Sequence, residues 1–251
     1  MCQTDRDRSR DGLIFGPGLR MRVLVGTSGY SYKEWKGNFY PKDAKPQEML
    51  GLYAEQLKTV EINNTFYRMP SEKMLLSWAQ QVPDDFCFVL KASRRITHFK
   101  RLKDVGDVLT YVLQTATALG SKLGPMLFQL PPNMLKDTAC LVDFLAQLPP
   151  KWPAAFEFRH KTWFDDEVYD ALRERGAALV VTDSADESQP IVSTASYGYL
   201  RLRREEYDDE KLLDWVERIG EQSWDTAYVF FKHEEEGAGP RLAARFRELL
   251  P

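Results

Sequence analysis

From residue 21 onward the chain repeats one pattern: a short apolar or alternating run, then a longer segment whose apolar positions recur at helical spacing. The short runs cover residues 22–29, 59–67, 86–92, 125–130, 155–158, 178–184, 197–203 and 227–233. Helical segments are predicted over 46–57, from Ser71 onward, and over 104–119, 137–147, 165–176, 209–219 and 240–250. Their ends carry the expected punctuation. Ser71 stands at a helix start with Glu72 in the first turn, Asp165, Asp166 and Glu167 open another helix, and Gly176 closes it. Eight strands alternating with seven or eight helices predict a single-domain α/β fold, a TIM-like (β/α)8 barrel. An open doubly wound sheet is the competing architecture, but Gly26-Thr27-Ser28-Gly29 after the first run lacks the G-x-G-x-x-G spacing of a dinucleotide turn.

Residues 1–20 do not join this pattern. Asp5-Arg6-Asp7-Arg8-Ser9-Arg10-Asp11 is a mixed-charge run without the apolar centre of a signal peptide, so residues 1–20 read as a disordered leader and residues 21–251 as the barrel domain. No apolar run reaches the ~18 residues that a membrane span needs, and no membrane partner is expected. The three cysteines, Cys2, Cys87 and Cys140, are too widely spaced for a C-x-x-C pair, which fits a reducing cytoplasm. A formal net charge of −3 gives no global attraction to nucleic acid, so any affinity for anions must come from local placement of charge.

That placement follows by elimination, because the outer face of a barrel strand lies under helices and must be apolar. Val60 and Ile62 outward leave Glu61 and Asn63 inside, and the same logic turns Lys91, Gln129, Glu157, Arg159, Asp183, Arg201, Arg203 and Lys232 inward. All lie near the strand ends that feed the following loops, the C-terminal mouth where barrels carry their chemistry. The three histidines, His98, His160 and His233, follow strand ends as well. Five inward bases (Lys91, Arg159, Arg201, Arg203, Lys232) outnumber three acids (Glu61, Glu157, Asp183), so the expected partner is a small anionic molecule, such as a sugar bearing phosphate or carboxylate. Internal pairing of these charges is the competing, structural role. Glu157, Asp183, His98 and His233 are the residue types that hold a divalent metal. The chain nevertheless has no H-x-H or H-E-x-x-H, and the flanking bases oppose a cation, so no cofactor is assigned and a metal is kept as the lesser reading. Among the aromatic residues, Tyr67 and Trp163 are expected to face a ligand.

Ala155-Phe156-Glu157-Phe158-Arg159-His160-Lys161-Thr162-Trp163 passes from apolar strand to ionic loop within a few residues. With Gly26-Thr27-Ser28-Gly29-Tyr30, Trp35, Phe39-Tyr40-Pro41, Val60-Glu61-Ile62-Asn63-Asn64-Thr65-Phe66-Tyr67, Ile96-Thr97-His98 and Leu127-Phe128-Gln129-Leu130-Pro131-Pro132, it resembles the domain-of-unknown-function 72 (DUF72), or YecE-like, family. The resemblance covers most of the chain from Met21 and implies a TIM-barrel-type fold and a bacterial cytoplasmic protein, with no assigned reaction. Two places depart from the family's pattern. Where many relatives read R-x-H-G this chain has Arg201-Leu202-Arg203-Arg204, and where they carry paired asparagines it has Lys232-His233-Glu234. Both changes add charge at the mouth.

The leading expectation is an enzyme doing acid–base chemistry on an anionic or phosphorylated sugar-like ligand. Glu157 and His98 would transfer protons and Asp183 would assist, while Glu61, Asn63, Tyr67, Lys91, Gln129, Arg159, His160, Trp163, Arg201, Arg203, Lys232 and His233 bind. The alternatives are a non-catalytic nucleic-acid- or phosphate-binding protein using the basic rim Arg94, Arg95, Lys100, Arg101, Arg203 and Arg204, and a metal-dependent isomerase or nuclease.

Overall fold

Strands that are apolar on both faces can be stable only if both faces are covered, and the alternation of such strands with amphipathic helices provides the cover. The structure, a computed structural model, describes residues 13–16, 19–184, 189–232 and 237–251, with side chains from Met21 onward. Its strands are β1 (Leu13–Gly16), β2 (Leu19–Ser28), β3 (Thr59–Ile62), β4 (Cys87–Leu90), β5 (Met126–Gln129), β6 (Ala154–Glu157), β7 (Ala178–Asp183), β8 (Tyr197–Leu202) and β9 (Thr226–Phe231). The α-helices are α1 (Met49–Gln56), α2 (Glu72–Gln80), α3 (Gly106–Ala116), α4 (Thr138–Gln147), α5 (Asp166–Arg175), α6 (Asp209–Gly220) and α7 (Ala238–Glu248).

β2 to β9 are parallel and hydrogen-bonded in the order β4-β3-β2-β9-β8-β7-β6-β5. The remaining seam, between β4 and β5, is narrow: Phe88 bridges to Leu123 and Lys91 to Leu127, with Gly124 N and Ala92 N each donating at 2.8 Å to Phe88 O and Leu127 O. The sheet is therefore a nearly closed (β/α)8 barrel. The sequence pattern places the start of the folded chain near Met21, whereas the structure begins the sheet earlier. Leu13–Gly16 pairs antiparallel with the first residues of β2, so part of the expected leader belongs to a hairpin.

Cap chemistry sets the helix ends close to where the sequence puts them. The Ser71 side chain accepts from Met74 N, Asp137 from Cys140 N, Asp165 from Glu167 N and Asp208 from Lys211 N. α5 ends on Gly176 in the left-handed conformation, φ 66°. Val89, Leu127, Ala155, Ala178, Val180, Tyr199 and Phe230 fill the barrel interior. The larger core lies between sheet and helices, where Phe128, Phe156 and Phe158 stack in series at 5.1 and 6.2 Å between ring centroids.

Trp163 completes that stack. Its ring lies 4.6 Å from Phe158 and nearly parallel to it, it is fully buried, and its indole N–H donates to Met134 O at 2.7 Å. The expected ligand-facing role of Trp163 is thus corrected to packing outside the barrel: a large apolar ring just past a strand finds more buried area under the helices than over a polar mouth.

Candidate functional site

Alternation along parallel strands aims every second side chain into the barrel, and near the C-terminal ends those side chains are charged. Glu61 at the end of β3, Glu157 at the end of β6 and Arg201 in β8 meet in the interior and are all buried. One end of the Arg201 guanidinium donates to Glu61 Oε1 at 2.9 Å and the other to Glu157 Oε2 at 2.5 Å. Glu61 also accepts from Ser28 Oγ at 2.8 Å, Asn63 Nδ2 at 3.1 Å and Tyr199 OH at 2.6 Å. Glu157 Oε1 accepts from Gln129 Nε2 at 2.8 Å, and Gln129 Oε1 in turn accepts from Lys91 Nζ at 2.7 Å.

Burial alone would drive both carboxyls toward protonation, but Arg201 and the surrounding donors reverse this and hold Glu61 and Glu157 below the ordinary glutamate range. Arg201 is likewise held firmly charged, the two carboxylates outweighing its desolvation. Both oxygens of each carboxylate are engaged. The cluster is a fixed ionic floor, and Glu157 is less suited to carrying protons than its position in the sequence suggests.

A second layer stands above the floor. Lys91, at the end of β4, is half-buried with its ammonium 4.4 Å from the centre of the Phe66 ring. Burial, then the neighbouring Arg201 and Lys232, push its pKa down to about 8 against the opposing pull of Glu61 and Glu157. His98 lies on a π-helical turn, Arg95–Phe99, a geometry that recurs at functional sites. Its Nδ1 is 2.9 Å from Thr97 Oγ1 and its ring meets the Phe66 ring edge-on at 4.8 Å. Partial burial first, then Lys91, Arg159 and Arg101, keep His98 below its ordinary pKa, so it is neutral at pH 7. Arg203 is also pushed down, by burial and then by Arg201, with Arg159 adding to the repulsion. Among the described residues neither Arg159, Arg203 nor Lys91 has a carboxylate within 4 Å.

Glu61, Asn63, Lys91, Gln129, Glu157 and Arg201 are therefore joined in one hydrogen-bonded network, and the electrostatic couplings draw His98, Arg159, Arg203 and Lys232 to the same mouth. Asp183 is not among them. It is on the outer face of β7, buried under α6, where it accepts from Arg204 Nε at 2.8 Å, Tyr207 OH at 3.0 Å and Trp215 Nε1 at 3.3 Å. Residues 178–182 are apolar or small on both faces, so the strand's phase is not fixed by its pattern, and the inward residue at its end is Thr182. Because Asp183 is outside, the set Glu157, Asp183, His98 does not converge on a metal, and among the described residues no three His, Cys, Asp or Glu side chains gather as a metal requires. His233 lies outside the described residues.

His160 is half-buried and caps the short turn Lys161–Trp163, its Nδ1 2.9 Å from Thr162 Oγ1. Tyr67 stands on the rim and borders a cavity of about 900 Å³ that runs from Asn63 toward α2 and α3. Tyr67 and Phe99, each 67% exposed, flank Arg94, whose guanidinium carbon is 5.4 and 5.2 Å from the two rings. The rest of the predicted basic rim is partly spoken for: Arg204 by Asp183, Lys100 by Asp104 O and Arg101 by Asn133. Ser28 and Tyr199 bond Glu61 at the floor, a placement that the sequence reading passes over. Tyr199 was detectable, because it shares strand parity with Arg201 and Arg203.

A family model described as protein of unknown function DUF72 matches residues 24–251. The YecE protein of Escherichia coli is 30% identical over 138 residues, 53% of this chain and 51% of that protein, so the chain spans about half the length of the curated relatives it matches there. YunF of Bacillus subtilis is 22% identical over 85% of this chain and 79% of its own length. Among solved structures, a DUF72 family protein from Thermotoga maritima superposes with a TM-score of 0.81 at 29% identity, covering 91% of this chain and 98% of that one. One from Enterococcus faecalis superposes with a TM-score of 0.75 at 19% identity over 91% and 95%.

Proposed function

Since the chain belongs to the DUF72 family, whose description assigns no function, we propose from the residues at its own mouth that it binds a small anion, of the phosphorylated or carboxylated sugar class, and does acid–base chemistry on it. The observation that carries this reading is the charge layering. A floor of Glu61, Arg201 and Glu157 is locked by internal pairing with one negative charge in excess, and above it Arg159 and Arg203 repel one another without a carboxylate partner among the described residues. A phosphate or carboxylate between two guanidiniums relieves that repulsion and accepts planar, two-pronged hydrogen bonds. His98 and Lys91 supply the proton chemistry, since burial and neighbouring cations lower both, favouring the neutral base at His98 and bringing Lys91 down to about 8, and both adjoin the same Phe66 ring. Glu157 holds Arg201 in place, and no metal enters this reading.

Thermal-shift titration with inorganic phosphate and sugar phosphates tests it. Ligand at 100 times its Kd adds about 2.7 kcal/mol of stability, and Arg203→Ala or Arg159→Ala lowers affinity at least about tenfold, the value of one charged hydrogen bond. Stabilisation that is equal in the parent and both variants defeats the reading.

The Tyr67–Arg94–Phe99 stack favours a second reading, a platform for single-stranded nucleic acid, in which exposed rings stack on bases and Arg94 meets the backbone. It predicts binding of short oligonucleotides that weakens steeply with salt and with Phe99→Ala. An absence of binding at low salt removes it.

A further inference from the structure

Lys91 differs in setting from an ordinary barrel lysine. It projects inward from the end of β4, half-buried, with its Nζ over the Phe66 ring and donating to Gln129 Oε1. Gln129 is itself fixed by Glu157, so the amine is held in one direction by a relay that ends on the ionic floor. Among the described residues no carboxylate within 4 Å keeps it protonated. An anion clamp needs cations that stay charged, and Arg159 and Arg203 meet that need. A desolvated lysine beside fixed cations is suited to a different task, because it can present a free amine to an electrophile.

We propose that Lys91 is a nucleophile that forms an imine with an aldehyde or ketone carrying a phosphate or carboxylate, the anionic end lying against Arg159 and Arg203. The inference rests on the anion-binding reading above and names the substrate class of the same site. The neutral amine's lone pair adds to the carbonyl carbon while the C=O π bond breaks. The amine proton passes to the oxygen, giving a carbinolamine. The C–O bond then breaks, and the leaving hydroxyl takes one further proton and departs as water, leaving the protonated imine. The balance is one amine, one carbonyl and one proton in, one iminium and one water out, with no oxidant or reductant. His98, whose ring shares the Phe66 contact with Lys91, is the near carrier for the proton that moves. The lowered Lys91 pKa, about 8, is consistent with this role.

The test uses the full chain and pyridoxal 5′-phosphate, an aldehyde bearing a phosphate, as probe. The protein is exposed to a small amount of probe at neutral pH, reduced with borohydride so that hydride adds to the imine carbon, and mapped by peptide mass spectrometry. The expected result is labelling of Lys91 at least about tenfold faster than of the exposed Lys73 and Lys161. Labelling should be slowed by excess inorganic phosphate and by Arg203→Ala, with no adduct at residue 91 in Lys91→Arg, whose melting temperature checks the fold. Equal rates at Lys91, Lys73 and Lys161 overturn the proposal. Phosphate stabilisation read without any aldehyde reports the anion reading separately: if it persists while Lys91 stays unlabelled, only the imine is lost.

Discussion

Arg201 spans two carboxylates with the two ends of one guanidinium, all three groups almost sealed from water. Replacing it with methionine leaves Glu61 and Glu157 buried without a cation, and the expected cost is about 3–5 kcal/mol, read by denaturant unfolding at pH 7. The pH dependence follows from the sign of the shifts. In the parent the folded-state pKa values are depressed, so their contribution is present above the unfolded glutamate value, about 4.3, and is lost as pH falls below it. In Arg201→Met the unpaired, buried carboxyls move up, and stability is lost as pH rises above that value. The gap between the two proteins should close from pH 7 toward pH 4, and a gap independent of pH would mean the cost lies in packing. Asp183 makes the contrasting case. Asp183→Ala strands Tyr207 OH and Trp215 Nε1 under α6 and should cost about 2–3 kcal/mol, while leaving phosphate-induced stabilisation unchanged; loss of that stabilisation would return Asp183 to the mouth. The two residues also mark what a sequence can reveal. Glu61 and Arg201 are legible because apolar neighbours on either side fix their strand phase, whereas Asp183 closes a strand that is apolar on both faces, and only packing against α6 decides its direction.

At the scale of elements, strands and helices follow from pattern and caps, but close approach and irregular turns do not. Gly26 lies where β2 runs against β3, and a Cβ there would sit 2.0 Å from Thr59 O, a backbone atom that cannot swing aside. Gly26→Ala should force the two strands apart, with a stability loss of about 3 kcal/mol and a weaker Ser28–Glu61 contact. Urea unfolding measures it, and a change under about 0.5 kcal/mol would show that the strands yield. The segment after β4 was beyond sequence reasoning. Arg95-Ile96-Thr97-His98-Phe99 contains no residue that demands a π turn, and Arg101, Leu102 and Asp104 adopt left-handed φ of 49°, 69° and 51° without a glycine among them. Such a run is held by a local bond, Leu102 N to Ile96 O at 2.9 Å, and by tertiary contacts of Arg101 with Asn133 and Cys140, and it sets where His98 stands.

For the molecule as a whole, the alternation of eight apolar strands with helices narrows the fold to architectures that cover both sheet faces, and the lack of a dinucleotide turn after the first strand favours the barrel over an open doubly wound sheet. The opening hairpin was not legible, since a charge-rich start reads as a leader and only the pairing of Leu13–Gly16 with β2 shows otherwise. The fixed charges tie distant parts of the chain together: Arg201 is 140 residues from Glu61 and 44 from Glu157. A fragment of residues 21–196, which keeps both glutamates and lacks β8, should give no cooperative urea transition and a weak near-ultraviolet circular dichroism signal. A sharp transition in that fragment would show that the floor is dispensable to closure.

The same separation bears on how the protein is made. A ribosome delivers the two acids long before their counter-ion, so the nascent chain cannot bury them in final form until β8 is exposed. Until then the growing polypeptide keeps those side chains hydrated. Commitment to the finished cylinder thus waits for β8 to emerge, and the step that seals the scaffold is also the one that assembles the buried charge cluster.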